Sequence, residues 1–299
     1  MNIKLKEKEK DGFDWIDISN PKKEDLNEIA LQYNLHYTLV KDSLQPEHLP
    51  KYEMVNEVHF IIIRVFDQKA PSNSDTIQEI TNKIAIFIGK DFIITIHRAS
   101  SAFLEEVRLK LNQWAVPYSH FDVLHRIISA SFFSYDGLAN KLVQDLDFYE
   151  SKIFLKEKIP SLLKNLYLIK RKAAAINRIL NLSKTFLDSL QNHMPNPILQ
   201  DLRDSAIRIK TSSEQTIENV SNLLNIYISL SSQKTNEVVR VLTVFSVFFM
   251  PLTFIVGIYG MNFQFMPELT YKYGYYGVLV FMTILTIVIY LWFKRKHWL

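Results

Sequence analysis

No cysteine occurs in the 299 residues, which excludes disulfides, thiolate metal centres and cysteine nucleophiles. Glycine is scarce too. Of the seven, only Gly12, Gly89 and Gly137 precede residue 250. None of them opens a phosphate-cradling loop, so neither a nucleotide partner nor a nucleotide-driven pump is expected. The eight histidines form no HExxH pairing, and no GxSxG context surrounds a serine, so nothing suggests an enzyme. His59 and His97 read as core or surface residues rather than metal ligands. A net charge of +4 is too small and too dispersed for a nucleic-acid footprint. The opening MNIKLKEKEKDGFDW has no apolar core, so no signal peptide is expected.

Charge is absent from two stretches in particular. Val241 to Tyr259 and Tyr275 to Phe293 are 19 residues each and hold no ionisable acid or base apart from tyrosine. At 1.5 Å per residue each is about 28 Å long, matching a hydrocarbon core of roughly 30 Å. Joined by a short loop, they read as a transmembrane hairpin in contact with lipid. Lys234 and Arg240 precede the first, and Lys294, Arg295 and Lys296 follow the second, whereas the loop has only Lys272. The positive-inside rule then places both chain ends in the cytosol, across a bacterial-type inner membrane.

The first 118 residues mix strand and helix periods. FDWIDI (13–18), VHFIIIRVF (58–66), KIAIFI (83–88) and DFIITIH (91–97) read as strands, the last two joined by a GKD hairpin turn. Helical patterns fall at 22–34 and 100–115. The expected fold is α+β, an α/β/α sandwich. Residues 119–195 read as a long antiparallel helical pair, broken near Pro160 and stopped by HMPNP. From Ile198 to Met250 there is neither proline nor glycine for 53 residues, about 80 Å if helical. This gives a stalk over 196–240 and a first span over 241–259. An external loop (260–274), a second span (275–293) and a basic cytosolic tail (294–299) complete the organisation.

Along the stalk, Asn225, Ser232, Val239, Ser246 and Thr253 recur every seven residues, with Ile228, Asn236, Leu242 and Met250 three or four away. A seven-residue repeat is the seam of packed parallel helices. Each hydroxyl alone could simply bond back to its own helix. Their common register with Asn236 and Asn262 favours a water-facing stripe. One hairpin cannot enclose water, so the stripe implies several copies about an axis.

The first span ends in MPLTFIVGIYGMN (250–262). Pro251 removes one helix hydrogen bond, and Gly257 allows close backbone approach. Gly260 is suited to a left-handed helix end that leaves carbonyls unpaired, and Asn262 adds a neutral amide oxygen. Such dipoles suit a cation that keeps its water shell, as Mg2+ does. Val239, Leu242 and Met250 would form apolar constrictions.

These residues, TNEVVRVLTVFSVFFMPLTFIVGIYGMNFQFMPEL followed by a second span and KRKHWL, resemble the CorA magnesium channel family. The likeness is dense over 234–299, with the Gly-Met-Asn signature at 260–262 and MPEL, including Glu268, at 266–269. Over 1–233 it is architectural. The resemblance implies a funnel-shaped homopentamer importing Mg2+, with Co2+ or Ni2+ as further cargo. Gly260, Met261 and Asn262 would be the selectivity filter, with Gly260 and Asn262 meeting the metal. Asn236, Leu242, Met250 and Thr253 would line the pore, and Val239 stands where relatives often carry a larger gate residue. Zinc-preferring relatives tend to vary the residue before the asparagine, whereas Met261 keeps the magnesium type. HYTLVKDSL (36–44) maps a regulatory metal-binding aspartate onto Asp42, but Lys41 precedes it and its stalk partner is the neutral Asn225, which implies weak magnesium feedback. A zinc transporter of the same fold and a membrane-anchored scaffold or sensor are the alternatives.

Overall fold

The computed structural model describes all residues except 1, 7–11, 99–101, 114–117, 156, 158–159, 263, 265, 297 and 299. The chain divides into two compact units, Met1–Leu224 and Asn225–Leu299.

The first unit is built on one six-stranded sheet. Its strands are β1 (Asn2–Lys6), β2 (Asp14–Ser19), β3 (Lys51–Val55), β4 (Val58–Phe66), β5 (Thr81–Ile88) and β6 (Phe92–His97), in the order β1-β2-β6-β5-β4-β3. Only β2 and β6 run parallel. The turn from β5 to β6 requires Gly89, because a Cβ there would sit 2.2 Å from the Phe92 ring. Helices α1 (Lys23–Gln32) and α2 (Tyr37–Leu44) follow β2, the short α3 (Ile77–Ile80) precedes β5, and α4 (Ala102–Asn112) follows β6.

Alternation along β4 explains the layers. Phe60 and Ile62 point to one face, where they join Ile18, Leu26, Leu39, Phe87 and Ile94 in a core with α1 and α2. Ile61 and Ile63 point to the other. There α5 (His120–Phe154) lies along β4, with Tyr135 and Ser131 donating to the Arg64 carbonyl at 2.7 and 2.9 Å. Helices on both faces make this the expected α/β/α sandwich. Four elements escape the sequence pattern: β1, β3, α2 and the one-turn α3.

Ser119 caps α5 through a reciprocal bond with Asp122. Helix α6 (Leu162–Ser189) returns beside it. Helix α7 then runs unbroken from Asn196 to Tyr259 for 64 residues, with Pro251 inside it. Within the first unit it buries Leu199, Leu202, Ala206, Ile209, Ser213, Thr216, Val220 and Leu223, a three-four spacing that keeps one seam covered. Arg208 clamps Asp136 of α5 through two bonds, at 3.0 and 2.8 Å.

The second unit contains the rest of α7, the short α8 (Pro267–Thr270) and α9 (Gly274–Arg295). Both α7 and α9 are long and apolar enough to cross a membrane, and their most apolar windows are almost wholly unburied. Phe248 stacks on Phe293 at 5.8 Å, and Phe293 is only 1% exposed.

Candidate ion-conduction site

Continuing the three-four spacing of the buried seam past Leu223 leads to Val244, Phe248, Pro251 and Ile255. These four are half-buried, and Phe248 meets α9. On a helix of 3.6 residues per turn, Val239, Leu242, Ser246, Met250 and Thr253 lie about 180° from that face. Asn236 and Met250, two heptads apart, share the flank of this second stripe. Within the second unit α7 packs with that side and leaves most of the stripe exposed, with Ser246 half-buried. Val239 is 53% exposed, Leu242 64% and Met250 71%. Every residue from 231 to 240 is exposed.

The hydroxyls differ in their bonding. Ser246 donates to the Leu242 carbonyl at 2.9 Å, and its neighbour Thr243 donates to Val239 at 2.8 Å. The local back-bond thus takes the Ser246 proton and leaves its oxygen as an acceptor. Among the described residues, the side chains of Thr253 and Asn236 make no hydrogen bond. The stripe consequently offers neutral oxygens and amides, separated by aliphatic and thioether side chains, with no charge.

Gly260 departs from expectation. It does not adopt a left-handed conformation; among glycines, positive φ is recorded only at Gly12. Instead its N–H donates to the Val256 carbonyl at 2.9 Å and the Gly257 carbonyl at 3.2 Å, and Met261 N–H donates to Ile258 at 3.2 Å. The helix closes by a tightened last turn, which satisfies these carbonyls without a backbone reversal. A Cβ at Gly260 would lie 3.3 Å from the Val256 carbonyl oxygen, a tight contact at this turn. Among the described residues nothing donates to the Gly260 carbonyl. Met261 and Asn262 are exposed beyond it. Met266 precedes α8, whose first residue is Pro267. The side chain of Glu268 lies outside the described residues.

Asp42, in α2, is not free. Lys51 Nζ lies 2.6 Å from one carboxylate oxygen and His48 Nε2 lies 3.4 Å from the other. Burial raises its pKa, but the Lys51 bond and charge, with His48 and Lys83, outweigh that and hold it below the usual 3.8. Asn225 is exposed in the second unit, and its carbonyl accepts from Ser229 at 2.9 Å. Among the described residues no group of three or more His, Asp or Glu is placed to hold a metal. Lys51, which takes the Asp42 carboxylate, was not singled out from the sequence; a lysine on a strand carries no such signal.

The profile of the CorA-like Mg2+ transporter protein family matches residues 10–295. The cobalt/magnesium transport protein CorA of Thermotoga maritima is 28% identical over 297 residues, covering 95% of this chain and 83% of that protein. The putative metal ion transporter YfjQ of Bacillus subtilis is 26% identical, covering 95% and 89%. In fold, the CorA magnesium transporter from Methanocaldococcus jannaschii superposes with a TM-score of 0.80 at 20% identity, covering 96% and 92%. The chain belongs to the CorA-like Mg2+ transporter family, a family of transporters and not of enzymes.

Proposed function

We propose that several copies of this chain, five by the family resemblance, surround a channel that admits Mg2+ to the cytosol, with Co2+ and Ni2+ as secondary cargo. One observation carries the reading. The uncharged stripe from Val239 to Thr253, flanked by Asn236, lies opposite the half-buried face of α7 and leads toward Gly260-Met261-Asn262. A long helix exposed on every side is stable only when something covers it. Copies of itself would cover it and turn the stripes inward.

Asn262 and the Gly260 carbonyl would then ring the outer mouth with neutral oxygen dipoles. Mg2+ gives up water reluctantly, so contact by such dipoles through its bound waters suits it better than a carboxylate cage. A tight cage would also slow release. A membrane potential of 100 mV supplies roughly 4.6 kcal/mol to an inward-moving dication, so weak binding suffices. Further in, Met250, Leu242 and Val239 would narrow the path and close it by dewetting.

The test is Mg2+ influx into liposomes containing the purified protein and an internal magnesium dye, with Asn262→Ala beside the parent. The substitution is expected to reduce influx at least tenfold, and hexaammine-cobalt, which imitates hydrated Mg2+, is expected to block the parent. Parent-level influx in the variant would remove Asn262 from selectivity. Unaffected influx under hexaammine-cobalt would point to a dehydrated transition metal instead.

A further inference from the structure

Away from the spans, the first unit contains a partly open pocket of about 120 Å³ where the end of α2 meets β4, β5 and β6. At about 30 Å³ per water it has room for roughly four waters, or one tetrahedral ion of five heavy atoms. Arg64, Lys83, Arg98 and His97 line it together with the amides of Gln78 and Asn82, and none of its lining residues is acidic.

The surrounding charges do not balance. Lys83 Nζ spends its donors on the carbonyls of Asp42 (2.8 Å), Ser43 (2.7 Å) and Gln45. Buried Arg64 bonds Pro46, His48 and both oxygens of Thr81. Arg98 bonds the Leu44 carbonyl at 2.7 Å. Two carboxylates are nearby, and both are engaged: Asp17 holds His97 at 3.0 Å, and Asp42 holds Lys51 at 2.6 Å. Burial, then the charges of Arg64 and Arg98, push the Lys83 ammonium down to about 8, against a weaker pull from Asp42. Like charges crowded around a hollow are costly unless an anion enters it.

Donors are also left over. Among the described residues, Arg98 uses one of its five N–H groups and Arg64 leaves one Nη2 hydrogen unused, while the Gln78 and Asn82 amides make no hydrogen bond. We propose that this cavity binds a small tetrahedral oxyanion of the inorganic phosphate class, gripped by Arg98, the spare Arg64 N–H and the Gln78 and Asn82 amides. Its volume accommodates the free ion whole. Occupancy would tie β4, β5 and β6 to the end of α2, and it does not depend on what the spans conduct.

The experiment is thermal unfolding of the full-length protein in detergent, in magnesium-free zwitterionic buffer, titrated with phosphate against chloride at matched ionic strength, with ATP as a third arm. Phosphate is expected to raise the melting temperature saturably. Arg98→Gln, at an exposed position that leaves the core intact, is expected to shift half-saturation at least tenfold upward, and Asn82→Asp to abolish the response by placing a carboxylate on the wall. Equal stabilisation by chloride, or an unchanged phosphate response in both variants, would overturn the site. ATP acting at tenfold lower concentration than phosphate would overturn the assignment to the free ion.

Discussion

Lys51 Nζ and Asp42 Oδ2 are 2.6 Å apart, so the carboxylate in the segment that resembles a regulatory metal site already has a cation of its own. Lys51 is in turn held by Glu53 at 2.7 Å. A divalent ion binding at Asp42 would have to displace the ammonium.

If the proposed channel closes with internal magnesium, Asp42→Ala is expected to alter that closing less than twofold. Lys51→Ala should do more, because it frees the carboxylate and increases sensitivity to internal Mg2+. Both are read as flux into liposomes at graded internal Mg2+. A large gain in open flux from Asp42→Ala alone would show that the pair is a sensor after all. For stability, the Asp42 pKa is depressed in the fold, so its contribution is present above 3.8 and is lost as pH falls through the lower folded value. Both side chains are about a quarter exposed, so the pair contributes no more than about 1 kcal/mol.

His59 supplies a second pH dependence, nearer neutrality. Burial first, then the charges of His193 and His120, hold its pKa below 6.5, and the His193 ring is centred 4.5 Å away. The unfolded chain takes up this proton near 6.5 and the folded one only lower, so stability is full above 6.5 and falls with acidification below it. Melting temperature measured from pH 7.5 to 5 should drop less steeply in His59→Phe than in the parent. Parallel curves would assign the acid sensitivity elsewhere.

Strong periodicity made most of the architecture legible. The reading at 58–66 coincides with β4 because eight of its nine residues are buried, leaving an apolar run that fits a central strand. The breaker-free run after Pro197 became α7, which starts two residues earlier and continues through Pro251. That proline loses only the bond to a carbonyl one turn back, a loss membrane helices tolerate. β3 was hidden because KYEMV is an edge strand with no buried residue. α2 was hidden because its eight residues bury only Leu39, Val40 and Ser43. At the site, the stripe and the Gly-Met-Asn end were visible as spacing, but the Gly260 backbone was not. Glycine permits a left-handed turn without requiring one, and the hydrogen bonds to Val256 and Gly257 settle the choice.

The contact between the spans is concentrated at Phe293. It stacks on Phe248, lies 5.1 Å from the Trp292 ring centre and 5.8 Å from that of Trp298, and is 1% exposed. Emptying such a site costs about 3–5 kcal/mol in a water-soluble core, and less between helices in lipid, where packing acts without a hydrophobic term. Phe293→Ala should lower the melting temperature of the detergent-solubilised protein clearly more than Leu291→Ala, which removes a 56% exposed side chain from the same helix. Equal effects would mean that Phe293 is not where the hairpin is fastened.

Met250 and Leu242 allow the proposed closure to be tested separately from selectivity. Both lie on the uncovered stripe, two turns apart, and neither is needed for packing within the chain, since they are 71% and 64% exposed. If the path closes because apolar side chains expel water, a hydroxyl at either level should keep it wet. Met250→Ser and Leu242→Ser are therefore expected to raise Mg2+ flux under closing conditions several-fold, while hexaammine-cobalt still blocks, because Asn262 is untouched. Val239→Leu should do the reverse and reduce flux, since Val239 is the smallest of the three apolar levels. If both serine variants conduct as the parent does while Asn262→Ala is impaired, the mouth selects but the stripe does not gate, and closure must come from movement elsewhere in α7.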